Sequence, residues 1–220
     1  MAEHPVMAIG EWKNNAEMIA AVATLGYLNG RVLDCTYGKG NFWTVFQPEE
    51  LVGCDINPAK SPIGYPVDFT TMAFANGVFD SVVIDPPYKL NGSPTGRSDH
   101  AYGVDVAASR EGRLGLARAG VTECVRCLRD GGYLLIKVQD QVNGGRVRWQ
   151  TRDMTEHAEK EGCDLVDSFL FRSYRPQPTR TRKHEGCRGA GCAGCSEGRI
   201  ASAQQHAARN YSTLLVLEKR

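Results

Sequence analysis

The segment Phe79–Ile84, followed at once by Asp85-Pro86-Pro87-Tyr88, constrains the fold of this chain more than any other feature. Its apolar end reads as a strand buried on both faces of a sheet, the pattern of strands covered by helices on either side. Two prolines then stop it, because proline offers no amide hydrogen to a strand ladder. Such a strand needs partners of its own kind, and the chain supplies them. Residues 31–34 and 51–55 are short apolar runs, closed by Asp34 and Asp55. Residues 133–138, 165–171 and 211–217 read as further strands; 14–28 carries helical spacing, Asn41 can cap a helix over 41–46, and 114–128 and 151–161 read as further helices. Strands alternating with helices predict a doubly wound α/β fold with a mostly parallel sheet, as one domain over 1–220. Ligands of such sheets sit outside the carboxyl ends of the strands, which places Asp34, Asp55 and Asp85 along one edge.

With 220 residues, 42% hydrophobic and 23% charged, the chain is long enough to bury one sizeable core. No apolar run approaches the ~20 residues of a membrane span. The start, with Glu3, His4 and Pro5, lacks the basic and apolar stretches of a signal peptide, so a cytoplasmic location with no membrane partner is expected. Cys35, Cys54, Cys124, Cys127 and Cys163 are scattered among core segments, as small buried hydrophobes are, whereas Cys187, Cys192 and Cys195 cluster. The formal charge of +1 hides a basic stretch: Arg172, Arg175, Arg180, Arg182, Lys183 and Arg188 stand against Glu185 alone.

The loop Thr36-Tyr37-Gly38-Lys39-Gly40 follows the first strand. Glycine at 38 and 40 lets the backbone turn tightly and approach a ligand closely. Asp55 lies 21 positions after Asp34 and ends the next strand, where a carboxylate can accept two hydrogen bonds from a ribose diol. That suits an adenosine-containing cofactor. Trp43 occupies the place of a third glycine, so the pyrophosphate cradle of a dinucleotide site is missing.

Val32-Leu33-Asp34 with Gly38 and Gly40, and Val52-Gly53-Cys54-Asp55-Ile56-Asn57-Pro58, resemble the two cofactor motifs of class I S-adenosylmethionine-dependent methyltransferases. The resemblance implies a Rossmann-like sheet of seven strands and S-adenosylmethionine as cofactor. It also implies that Asp34, Thr36, Tyr37 and the glycine loop border the amino-acid end of the cofactor, that Asp55 holds the ribose, and that Ile56 packs on the adenine. Asp68, with Phe69 beside it, matches the acid that receives the adenine amino group; the other reading of Asp68 is a cap for a helix starting near Thr70. Many DNA amino-methyltransferases carry phenylalanine two residues after the first motif's aspartate, where this chain has Thr36.

The chemistry of Asp85-Pro86-Pro87-Tyr88 follows from its residue types. An exocyclic amine on a base ring is a poor nucleophile, because its lone pair is delocalised into the ring. The Asp85 carboxylate and the Pro86 carbonyl can each accept a hydrogen bond from such an amine and favour a tetrahedral nitrogen. Pro86 and Pro87 fix the backbone, and Tyr88 offers a ring for the base to stack on, worth ~1–3 kcal/mol. The plainer reading, a strand ending in a proline-rich turn, leaves the two upstream motifs unexplained. The quartet resembles that of adenine-N6 DNA methyltransferases, which rotate the target base out of the duplex. Cytosine-N4 enzymes usually have serine in its first position and release-factor glutamine methyltransferases asparagine. Some ribosomal-RNA guanine-N2 enzymes share Asp-Pro-Pro.

Two segments face the substrate in this reading. Residues 89–110, with Arg97, His100 and Arg110, follow the catalytic strand and are long enough for a lid. Residues 174–210 form an insert before the last strand, far longer than a hairpin connection. Its His184-x2-Cys187-x4-Cys192-x2-Cys195 can close around a structural zinc, with His206 the rival to His184. Four protein ligands leave no open position for catalysis. The basic residues around this cluster suit phosphate contacts, so the expected partner is nucleic acid. DNA stands first, and the lack of a large target-recognition domain keeps RNA in play. A nucleic-acid-binding protein that keeps the fold without activity is the third reading.

Overall fold

The computed structural model describes residues 5–87, 110–143, 146–172, 206–207 and 209–220. Helix α1 (Asn15–Thr24) starts where the Asn14 side chain accepts the Glu17 amide hydrogen, and it ends as Gly26 turns left-handed at φ 84°. Strands β1 (Arg31–Asp34), β2 (Glu50–Gly53) and β3 (Phe79–Ile84) follow, then helix α2 (Arg110–Cys127), strand β4 (Leu128–Val138) and a short hairpin of β5 (Gln141–Asn143) and β6 (Arg146–Arg148). Helix α3 (Gln150–Lys160) leads to β7 (Cys163–Arg172) and β8 (Tyr211–Lys219).

The main sheet runs β2-β1-β3-β4-β8-β7. The pairs β2–β1, β1–β3 and β3–β4 are parallel, and β8 lies antiparallel between β4 and β7. The expected doubly wound, mostly parallel sheet is present, with six strands among the described residues rather than seven. The order reverses between β1 and β3, which opens a crevice at the carboxyl ends of these two strands.

Alternate residues of the central strands build two cores. Leu33, Val82, Ile84, Leu134 and Ile136 pack under α2 and α3 with Val121, Cys124, Met154 and Ala158. Val32, Val83, Leu135 and Val216 pack on the other face against Met18, Ile19 and Val22 of α1. Each buried Val, Leu, Ile or Met side chain contributes ~1.5–3 kcal/mol by burial, and the two cores hold the crevice between fixed walls. Cys35, Cys54, Cys124, Cys127 and Cys163 are free and buried, as their scatter predicts. Burial pushes the Cys127 and Cys163 thiols up to about 11, far from a reactive thiolate at neutral pH.

Three local expectations change. The helix predicted over 41–46 is a single 3-10 turn, Asn41–Trp43, entered from Gly40 in the left-handed region with no side-chain cap. No helix starts near Thr70; a turn closes there by the Thr71 amide on the Asp68 carbonyl at 3.0 Å. Asp130-Gly131-Gly132 is not a connection into the fourth strand but part of it, and the register with β3 shifts between Phe79 and Ser81. A β-carbon on Gly132 would stand 2.8 Å from the Asp80 carbonyl oxygen, so only glycine admits this close passage. Among the described residues no helix is long and apolar enough to cross a membrane.

Candidate active site

Register brings the three strand-end acids together. Asp34 is paired with Gly53 of β2 and with Val83 of β3, and Asp55 and Asp85 each lie two residues beyond those partners. Backbone bonds extend the pairing past the strand ends, from Cys35 to the Val83 carbonyl at 3.2 Å, from Cys54 to the Asp34 carbonyl at 2.9 Å and from Tyr37 to the Cys54 carbonyl at 3.0 Å. The edge inferred from sequence is therefore one continuous rim.

Asp34 faces inward, 2% exposed. One carboxylate oxygen accepts the indole N–H of Trp43 at 2.7 Å; the other accepts the Thr36 amide at 3.0 Å and its hydroxyl at 3.4 Å. Burial pushes its carboxyl up to about 6 against these bonds, and the charge of Asp85 adds to the rise. Asp34 thus shapes the glycine loop from beneath. Trp43, in the place of the missing third glycine, serves as its donor, a role that residue spacing does not reveal.

The glycines divide their work. Gly38 and Gly40 both have positive φ, at 58° and 69°. A β-carbon on Gly38 would meet nothing closer than the Thr36 carbonyl at 3.7 Å, so this position is open to a ligand. One on Gly40 would stand 2.6 Å from the Tyr37 hydroxyl, and one on Gly53 would overlap the Tyr37 ring. Gly40 and Gly53 therefore make room for Tyr37, which wedges the loop against the end of β2.

Asp55 accepts the Gly38 amide at 3.0 Å on one oxygen and the Asn57 amide at 2.8 Å on the other. Each oxygen keeps a lone pair for a further donor. Ile56 beside it is 49% exposed, an apolar surface at the lip of the rim. The Val67 amide bonds to the Asp55 carbonyl at 3.0 Å, which brings the segment of Asp68 and Phe69 alongside. Asp68 is exposed, with one oxygen accepting the amide and hydroxyl of Thr70 at 2.8 and 2.7 Å. The Phe69 ring lies where a β-carbon of Gly120 would stand, so α2 packs directly on it. Gly38, Asp55 and Ile56 fit the ribose and adenine of an adenosine-containing cofactor: an open backbone approach, a carboxylate with spare acceptors and an exposed aliphatic face.

Asp85 completes the rim. Its amide donates to the Thr36 hydroxyl at 2.8 Å, which links it through Thr36 to Asp34. Its side chain is 21% exposed, and Lys137 Nζ stands 3.4 Å from both of its oxygens. Burial raises the Asp85 carboxyl, and the Lys137 ammonium opposes the rise. Lys137, itself 3% exposed, also lies 5.9 Å above the Phe42 ring. Sequence reading missed this lysine; its only signal is a lone charge inside the apolar Leu134-Leu135-Ile136-Lys137-Val138. Pro86 is buried and Pro87 half-buried. Tyr88, Arg97 and His100 lie outside the described residues, as do His184, Cys187, Cys192 and Cys195. Among the described residues no cluster of His, Cys, Asp and Glu could hold a metal ion.

No family model matches the chain, and no curated protein matches it. Solved structures do. A protein assigned as a methyltransferase from Bacillus halodurans C-125 superposes with a TM-score of 0.56 at 14% identity, over 92% of this chain and 99% of that one. The chain has a Rossmann-like methyltransferase fold. A SAM-dependent methyltransferase from Thermotoga maritima shares it, with a TM-score of 0.51 at 12% identity, over 93% of this chain and 89% of that one. So does the cyclase SpnF, with a TM-score of 0.51 at 15% identity, over 96% and 86%. A cyclase on this methyltransferase fold means that the fold alone leaves the reaction open. The residues of the rim must argue the chemistry.

Proposed function

We propose that the chain is an S-adenosylmethionine-dependent methyltransferase that methylates the exocyclic amino group of adenine in DNA. The observation that carries this reading is the position of Asp85-Pro86, at the end of the buried strand β3, tied through Thr36 to the loop that would border the cofactor. S-adenosylmethionine, when bound, supplies an electrophilic methyl group. Asp55 would hold the ribose diol and Ile56 the adenine, while the backbone at Gly38 allows close approach. Asp68 has an oxygen beyond the one that accepts from Thr70, and this would take the adenine amino group.

The Asp85 carboxylate and the Pro86 carbonyl accept hydrogen bonds from the substrate amine, turning its lone pair out of conjugation. Transfer would form the N–C bond as the methyl group's bond to the cofactor's sulfur breaks, so that the positive charge would pass from sulfur to the nitrogen beside Asp85, and the carboxylate would accept the proton. The Lys137 ammonium opposes the effect of burial on Asp85 and so favours its charged, accepting form. Tyr88 would stack the base, on the strength of the sequence motif alone. We extend the proposal to a structural zinc on His184, Cys187, Cys192 and Cys195, supported by their spacing; metal analysis of the purified protein tests it, and one zinc per chain is expected.

Transfer of a labelled methyl group to DNA, with the product identified as a nucleoside, tests the central reading. Label confined to RNA, or to guanine, would reject it.

A further inference from the structure

The rim that carries Asp85 continues past β4 into a surface the chemistry above does not use. The Gln139 side chain donates to the Tyr211 carbonyl at 3.1 Å, and Asp140 accepts the Thr151 amide at 3.0 Å. These bonds hold the start of α3 and the start of β8 against the end of β4, two residues beyond Lys137. Trp149, directly before α3, is 50% exposed, and the Arg209 guanidinium lies over its ring, 4.8 Å from the centroid. Arg146 and Arg148 stand on the neighbouring strand β6.

Arg31, Arg118, Arg126, Arg129, Arg152 and Arg220 each sit on a carboxylate. Arg146, Arg148 and Arg209 make no ion pair among the described residues, and the Nε atoms of Arg148 and Arg209 are buried there without a hydrogen-bond partner. A buried donor without an acceptor costs free energy, and guanidiniums without a counter-charge are ready partners for an anion. An anion docked on them supplies the missing counter-charge.

We propose that Arg146, Arg148 and Arg209, with Trp149, dock the phosphate backbone of the DNA strand that presents its base to Asp85. This rests on the DNA methyltransferase reading above. Guanidinium forks match phosphate oxygens in pairs, and the Trp149 ring fixes the orientation of Arg209 before the strand arrives. The uncovered part of the Trp149 ring offers a stacking surface to a neighbouring base.

Fluorescence anisotropy with labelled DNA, repeated over a range of salt concentrations, tests the surface. The double variant Arg146→Gln/Arg148→Gln should weaken binding by about tenfold or more and lower the slope of log affinity against log salt by about 2, near 0.9 for each phosphate no longer neutralised. Adding Arg209→Gln should lower it by about one more. Arg152→Gln, which removes an arginine paired with Glu156, should leave the slope unchanged. The double variant keeps Arg209 stacked on Trp149, so it tests the surface even where the triple variant fails to fold. A wild-type slope in a folded double variant that still binds S-adenosylmethionine overturns the docking surface and leaves the enzyme reading standing. Wild-type protein that neither binds nor methylates DNA overturns both.

Discussion

Lys137 Nζ lies 3.4 Å from each carboxylate oxygen of Asp85, bridging β3 and β4 at the rim. The separation exceeds the ~2.7–2.9 Å of a strong charge-assisted bond, so the ammonium stabilises the charge of Asp85 without saturating its acceptors. A carboxylate that must accept hydrogen bonds from a substrate amine needs both conditions.

Replacing Lys137 with methionine removes the cation that, among the described residues, opposes the effect of burial on Asp85. The Asp85 carboxyl then rises further, so the acid limb of the pH–rate profile moves to higher pH, and kcat at neutral pH falls by about tenfold or more. Calorimetric affinity for S-adenosylmethionine should stay within about twofold, since Asp55 and Gly38 are untouched. The pH profile is the decisive readout; an acid limb that does not move removes Lys137 from this role.

Asp85→Asn deletes the charge and half of the acceptor capacity. Transfer should fall by ~10²–10⁴-fold with cofactor binding retained. The variant also leaves Lys137 buried beside a neutral amide, and breaking a buried pair costs about 3–5 kcal/mol. Denaturant unfolding should therefore show a loss of stability alongside the loss of activity. Lys137→Met combined with Asp85→Asn should recover much of that stability and none of the activity.

Much of the rim was legible in the sequence because strand ends announce themselves. Asp34, Asp55 and Asp85 each close a short apolar run, and parallel pairing can only bring such ends together. The links between them were not legible. Asp85 and Lys137 are 52 positions apart and meet through strand register. Trp43 looks like a failed glycine position until its indole is seen on Asp34. The helix expected from Asn41 as a cap gave way to the left-handed turn at Gly40, which lets Trp43 reach inward. The β5–β6 hairpin had a signal in Asn143-Gly144-Gly145, a turn sequence between short runs, but its strands are too short to show alternation.

Asp34 gives a pH dependence with a definite sign. Its carboxyl is raised to about 6 in the folded protein from the ordinary 3.8, so the folded state holds its proton more tightly. The contribution of Asp34 to stability is complete below about pH 4 and is lost as pH rises through about 6, up to about 3 kcal/mol in all. Asp34→Asn, which keeps an acceptor for Trp43, should remove this dependence. The check is the difference in unfolding free energy between wild type and variant across pH 4–7; a constant difference contradicts the environment described for Asp34.

The two loop glycines should fail differently. Gly40→Ala meets Tyr37 at 2.6 Å in a left-handed conformation and should lower the melting temperature clearly. Gly38→Ala carries only the left-handed strain, about 1–2 kcal/mol, and its new methyl points into open space. A loss of S-adenosylmethionine affinity larger than the loss of stability is therefore expected at Gly38 alone. Equal behaviour of the two variants in melting and in calorimetry would contradict the division.

The most direct measurement is methyl transfer itself. Purified protein, S-adenosylmethionine labelled in the methyl group, and matched DNA and RNA are incubated together, and the digested nucleosides are resolved by mass spectrometry. Label in N6-methyladenine from DNA, present with wild type and absent with Asp85→Asn, is the expected result. Label absent from DNA, or undiminished with Asp85→Asn, contradicts the assignment of Asp85 as the residue that prepares an adenine amine for methylation.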